Sequence, residues 1–293
     1  MGVKLQTIKD IRNYLSAELA ELYPENEIRS LANIIFTSVL SISRLKLLRS
    51  ERELVPPRDA VKVIEICNEL KSGKPIQYII GETIFHGCII KVKQGVLIPR
   101  PETEELVDMI IRENEGFIGK ILDIGTGSGC IAVALASNLK GAEVTAIDIS
   151  AEALQTAAEN ARLNKVKVIF ARADILKNGQ PAVNKSDIIV SNPPYVRNSE
   201  KEKMHRNVLD YEPHEALFVL DSDPLLFYRN ILEKGNYLLN PGGKIYFEIN
   251  EAMGQKIRDL AESLRYRGVS ILKDINGKDR FMKGNRNDPW QFN

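Results

Sequence analysis

The sequence predicts an α/β chain: a doubly wound, seven-stranded sheet in the last two thirds, a small helical domain before it, and a β-hairpin connecting the two. Three observations predict it. From about residue 99, short apolar runs alternate with amphipathic helical patterns. A glycine-rich string, Asp123-Ile124-Gly125-Thr126-Gly127-Ser128-Gly129, joins one such run to a helix. Residues 4 to 72, by contrast, hold a helical apolar period with no strand texture.

The elements follow in order. In residues 1–75 the period passes through Ile8, Ile11, Leu15, Leu19 and Leu22, then Ile28, Leu31 and Ile35, then Ala60, Ile64 and Cys67. Pro24 and Pro56-Pro57 punctuate these segments, so a helical domain is assigned to 1–75. Residues 76–98 turn β-branched and aromatic around Gly87, the texture of a hairpin linker. Residues 99–293 carry the α/β domain. Its strands are expected at 120–124, 143–147, 166–170, 186–191, 243–249, 269–275 and 279–285, with the last two turning at Asn276-Gly277. Helices are expected near 129–139, 151–163, 224–239 and 252–266, and one starts at Pro101, with Glu102, Glu104 and Glu105 on its positive dipole end.

Charge narrows the function classes. Forty basic side chains against 39 acidic ones leave a net charge of +1, so no global cationic field invites nucleic acid. Basic and acidic residues also nearly balance within 1–75, and Arg44 to Arg49 form only a local basic cluster, read as a solvated helix end. Three cysteines, 67, 88 and 130, are too dispersed for a disulfide framework or a Cys-x-x-Cys metal site, and the three histidines form no obvious triad. No metal is expected. No apolar stretch approaches a membrane span or export signal, so a cytoplasmic protein without membrane contact is expected.

Two motifs carry chemistry. After the first strand, Gly125, Gly127 and Gly129 free the backbone for close approach of a ligand, and the following helix offers unpaired N–H groups. Asp148 closes the next strand, where a carboxylate can accept from both ribose hydroxyls. Together they describe a nucleoside cofactor site. Gly127-Ser128-Gly129-Cys130-Ile131-Ala132 also fits the dinucleotide fingerprint, so spacing alone leaves a nicotinamide enzyme open. The second motif, Asn192-Pro193-Pro194-Tyr195, ends the apolar strand 186–191. Its prolines stiffen the backbone, Asn192 can accept from a substrate NH2, and Tyr195 offers a face for a flat group. A Pro-Pro turn with locally satisfied side chains is the plainer reading.

Asp-Ile-Gly-Thr-Gly-Ser-Gly resembles the first motif of class I, Rossmann-like, S-adenosylmethionine-dependent methyltransferases, and Asn-Pro-Pro-Tyr has no role in hydride transfer. Gln77 to Glu82, Phe85-His86-Gly87, Leu97 to Glu104, Asn192 to Tyr195, Tyr211-Glu212-Pro213 and Asp274 to Phe281 together resemble the PrmC/HemK family. That resemblance implies a protein-glutamine methyltransferase that uses S-adenosylmethionine on the Gly-Gly-Gln glutamine of class 1 peptide chain release factors. It implies that Gly125, Thr126, Gly127, Ser128, Gly129, Asp148, Ile175 and Asn192 hold the cofactor. Asn192, Pro193 and Tyr195 would be catalytic, while Pro194, Arg100 and Glu102 would join them in shaping the substrate pocket. The helical domain would recognise the release factor. An amino-methyltransferase acting on adenine or cytosine in RNA or DNA shares Asn-Pro-Pro-Tyr but should need a basic face. The chain departs from the family at Asp221-Ser222-Asp223-Pro224, where Pro224 is read as a helix start.

Overall fold

A computed structural model describes residues 5–42, 47, 51–179 and 181–287. Of the Arg44–Arg49 cluster, only the apolar Leu47, which is buried, falls among them. The chain divides into two compact units, one of residues 1–81 with 206–211, the other of 82–205 with 212–293.

The first unit is helical: α1 (Ile8–Leu19), α2 (Glu25–Val39), α3 (Pro57–Lys71) and α4 (Ile76–Ile80). Helix α1 begins where it does because Thr7 and Asp10 cap it reciprocally, each side chain accepting from the other's backbone N–H. Ile8, Ile11, Leu15 and Leu19 meet Ile28, Leu31, Ile35 and Phe36 of α2, and Ala60, Val63, Cys67 and Leu70 of α3, in one core. Two sequence expectations shift. Leu22 is exposed because α1 stops at Leu19, and Val63 rather than Ile64 holds the fully buried place on α3. The expected hairpin also starts later. Pro75 opens a short helix, Gly81 closes it in the left-handed region at φ 85°, and Ile76 and Tyr78 are buried, so 76–80 is helical. The segment Arg206–Tyr211 forms a short helix in this unit, and the Tyr211 hydroxyl donates to the Ser72 carbonyl at 3.0 Å.

The second unit opens with the hairpin β1 (Glu82–Phe85) and β2 (Cys88–Lys91), followed by α5 (Pro101–Glu113). Next come β3 (Ile118–Ile124), α6 (Cys130–Asn138), β4 (Gly141–Asp148), α7 (Ala151–Leu163), β5 (Val168–Arg172) and β6 (Ser186–Ser191). Two short strands, β7 (Val196–Arg197) and β8 (Phe218–Val219), pair across the insertion after β6, a detail the sequence reading lacks. The chain then runs through α8 (Leu226–Leu238), β9 (Leu239–Glu248), α9 (Gly254–Ser263), β10 (Tyr266–Lys273) and β11 (Asp279–Arg286).

The main sheet has seven strands in the order β10-β11-β9-β6-β3-β4-β5, all running the same way except β11, which is antiparallel to both its neighbours. From β3 the chain winds outward through β4 and β5, then returns to place β6 on β3's other side. Ligands of open α/β sheets bind at such a reversal, beyond the carboxyl ends of the strands. The register Ile124↔Ser191 sets the two strand ends level. The Ser191 hydroxyl, donating to the Ile124 carbonyl at 2.6 Å, ties them together. Leu122, Ile189, Ile245 and Phe247 of the strands pack with Tyr228, Ile231 and Leu232 of α8 to make the core beneath.

Candidate active site

A cavity of about 340 Å³ opens at that reversal. One wall is the glycine turn. Gly125 and Thr126 donate backbone N–H groups to the Ile147 carbonyl at 2.9 and 3.1 Å, which bends the chain toward β4. Gly125 and Gly127 adopt φ 73° and 54°, and a Cβ on either would meet nothing within 4 Å, so these two keep open backbone against the cavity. Gly129 serves a different need. At φ 78° its missing Cβ would sit 2.7 Å from the Ala157 Cβ, so it brings α6 against α7 and does not line the cavity.

Carboxylates brace this wall. Asp123 is fully buried and accepts from the Thr126 hydroxyl at 2.6 Å; burial pushes its carboxyl up to about 7 against the pull of that bond. Asp148 accepts from Gly127 N–H at 2.8 Å and Ser150 N–H at 2.9 Å, one on each oxygen, leaving further lone pairs for a ligand. Buried Asn160 on α7 donates to the carbonyls of Ser128 and Lys91 and accepts from Lys91 N–H, fastening turn and hairpin together. Ile175 lines the cavity beside Asp174 and also belongs to the apolar core.

The opposite wall holds Asn192, Pro193 and Pro194, with Arg100 beside them. Asn192 Nδ2 donates to Thr103 Oγ1 at 3.0 Å, and that hydroxyl donates to Glu248 Oε2 at 2.6 Å. Tyr195 lies outside the cavity lining, its hydroxyl donating to Glu248 Oε1 at 2.9 Å. Burial lifts the Tyr195 phenol well above its ordinary range, and the neighbouring Glu248 adds to the shift. Burial likewise raises Glu248, opposed by its bonds from Thr103 and Tyr195 and by the Arg280 charge. Arg100 donates to Glu212 Oε1 at 2.5 Å, and Glu212 Oε2 accepts from Ile98 N–H at 3.2 Å, so this buried acid clamps the chain entering α5. Glu102 lies on the first turn of α5, outside the lining residues.

Sequence reasoning thus brings Arg100, Gly125, Thr126, Gly127, Ser128, Asp148, Ile175, Asn192, Pro193 and Pro194 to one cavity, and leaves Gly129, Tyr195 and Glu102 behind its walls. It misses Thr103 and Glu248 as partners of Asn192. Two signals were available: Thr103 sits inside the Leu97 to Glu104 motif, and Glu248 is a lone acid closing the apolar run Ile245-Tyr246-Phe247. The departing loop resolves into local bonds. Asp221 accepts from Ser199 N–H at 3.2 Å, and Asp223 forms two bonds to Arg229 at 2.8 and 2.9 Å, which hold its carboxyl low. Pro224 precedes the helix instead of starting it: α8 begins at Leu226, after a turn in which Leu226 N–H reaches the Asp223 carbonyl.

A glycine turn after one strand, an acid closing the next, and Asn-Pro-Pro-Tyr after the strand across the reversal define a class I S-adenosylmethionine-dependent methyltransferase. Residues 102–215 match the methyltransferase small domain and residues 10–81 the PrmC N-terminal domain. Release factor glutamine methyltransferase of Flavobacterium psychrophilum is 46% identical over 95% of this chain and 99% of its own. That of Bacteroides thetaiotaomicron is 46% identical over 94% and 99%. A methyltransferase structure from Pyrococcus furiosus shares the fold at TM-score 0.52 and 18% identity, covering 78% of this chain and 98% of that one. The chain belongs to the release factor glutamine methyltransferase family.

Proposed function

We propose that this cavity transfers the methyl group of S-adenosylmethionine to the side-chain amide nitrogen of the glutamine in the Gly-Gly-Gln motif of class 1 release factors. The observation that carries the reading is the bond from Asn192 Nδ2 to Thr103, which leaves the carboxamide oxygen as the acceptor Asn192 offers a substrate NH2. The chain's residues fit the cofactor. Asp148 keeps lone pairs for ribose hydroxyls, Gly125 and Gly127 leave backbone open, and Ile175, Phe227 and Ile231 give an apolar wall for a base. When bound, S-adenosylmethionine supplies an electrophilic methyl on a sulfonium.

An amide nitrogen is a weak nucleophile because its lone pair is delocalised, so orientation and hydrogen bonds that strengthen as charge develops must lower the barrier. Asn192 Oδ1 and the Pro193 carbonyl are assigned to accept from the glutamine NH2. Both stand on backbone stiffened by Pro193 and Pro194. Pro194, Arg100, Glu102 and Tyr195 shape the rim, the last two from behind it. No base is required before bond formation, since the nitrogen becomes acidic once methylated and its proton then leaves to solvent. Residues 1–75 are assigned to docking the folded release factor, 76–98 to linking, and 99–293 to transfer.

Labelled S-adenosylmethionine supplied with a release factor, with the same factor lacking the motif glutamine, and with an RNA pool tests the reading. Label is expected on the first alone. Label on RNA, or on the factor without its glutamine, would overturn it.

A further inference from the structure

We propose that Glu248 is a positioning residue: through the Thr103 hydroxyl it fixes which way the Asn192 carboxamide faces, and so makes the site select an amide over a carboxylate. The inference rests on the glutamine reading above and adds what sets its polarity.

Glu248 closes β9 with its residue 1% exposed, and both carboxylate oxygens are taken by hydroxyl donors, Thr103 at 2.6 Å and Tyr195 at 2.9 Å. Arg280 of β11 favours the charged form of this group, while burial and Glu102 of α5 oppose it. A hydroxyl has one hydrogen. Thr103 gives its hydrogen to Glu248, so only lone pairs remain on Oγ1 to meet Asn192, and Asn192 must present its NH2 there, as it does at 3.0 Å. The carboxamide oxygen is thereby turned away from Thr103, on a residue that lines the cavity. A glutamine NH2 can donate to it. A glutamate carboxylate in the same place would set acceptor against acceptor, a mismatch that buried polar sites reject strongly. Remove the Glu248 acceptor and the Thr103 hydrogen is free to point at Asn192; the amide can then turn over and offer its NH2 to the substrate instead.

The relay also accounts for a coupling between distant parts of the sequence. Thr103 lies inside Pro-Arg-Pro-Glu-Thr-Glu, Asn192 opens Asn-Pro-Pro-Tyr, and Glu248 closes a strand 56 residues further on. A bland alternative is that Glu248 merely satisfies two buried hydroxyls. That role would affect stability and leave the choice of substrate unchanged.

The experiment uses the full-length enzyme with a release factor carrying the motif glutamine and, as competitor, a copy with that glutamine changed to glutamate. Thr103→Val keeps the side-chain shape and is expected to lower kcat about 100-fold, the scale for losing preorganised polar positioning. It should also narrow the discrimination between the two release factors by about tenfold or more, as the hydrogen-bond polarity relaxes. Thr103→Ser keeps the hydroxyl and should stay within about threefold of wild type on both measures. Glu248→Met removes both acceptors and should follow Thr103→Val. Wild-type discrimination in Thr103→Val or Glu248→Met, at whatever rate, would overturn the proposal. So would a serine variant that falls as far as the valine one. Failure of the glutamine reading shows separately, as absence of glutamine-dependent methylation by the unaltered enzyme.

Discussion

The two walls of the cavity are built by different means. The glycine-turn wall is mostly backbone: positive φ at Gly125 and Gly127, N–H groups tied to Ile147 and Asp148, and a helix brought close by Gly129. The Asn192 wall is a chain of side chains drawn from α5, the end of β6 and the end of β9. Each wall ends on a buried carboxylate that accepts from a threonine, Asp123 from Thr126 and Glu248 from Thr103. On the proposed function, backbone would shape the wall that lies against the cofactor, while side chains would set the wall that chooses between substrate atoms.

If that division is right, damage to one wall should leave the other's task nearly intact. The largest effect is expected at Asn192. Asn192→Ala should lower the single-turnover methylation rate by about two to three powers of ten, the range for removing one preorganised polar contact. Cofactor affinity, measured by calorimetry, should fall far less. Equal losses in both would mean that the walls are not separate. The converse test is Asp148→Ala, which should weaken S-adenosylmethionine binding by about 1.5 to 3 kcal/mol for each charge-assisted bond lost. Methylation at saturating cofactor should recover most of the wild-type rate. Unchanged affinity would remove Asp148 from the cofactor contacts.

The same division explains what could be read in advance. A positive φ favours glycine, so the turn from Gly125 to Gly129 announces itself in the sequence, and the acid Asp148 closes the next strand after it. The stiff Asn-Pro-Pro-Tyr rim is equally local. The seven strands and the hairpin at Asn276-Gly277 follow from apolar period and turn chemistry. What stayed hidden depends on contacts across the fold. Thr103 and Glu248 look like a helix residue and a strand end until the sheet order sets them together, and Asn160 looks like an ordinary helix residue until Ser128 and Lys91 surround it. The helix at 76–80 was hidden for the opposite reason: four β-branched or aromatic residues around Gln77 read as strand, yet Pro75 and Gly81 frame the five as one helical turn. Gly129 is legible as a necessary glycine, and the close approach that requires it is that of Ala157.

Per pH unit, the smallest expected effect concerns the buried acid on the backbone wall, and it is a slope in stability. Burial raises the Asp123 carboxyl from 3.8 to about 7 in the folded chain, with the Asp148 charge adding to the shift and the Thr126 bond opposing it. In the unfolded chain the group titrates near its ordinary value. Between those values the folded state holds the proton and the unfolded state does not, so stability from this group is fully present below the ordinary value and is lost as pH rises through about 7. The loss per pH unit can reach at most about 1.4 kcal/mol, one proton's worth. Asp123→Asn keeps an acceptor for Thr126 and carries no charge, so the difference in stability between variant and wild type should grow as pH rises through that window and then level off. Urea unfolding of both proteins at a series of pH values measures it. Parallel curves would mean that Asp123 is no more proton-hungry folded than unfolded.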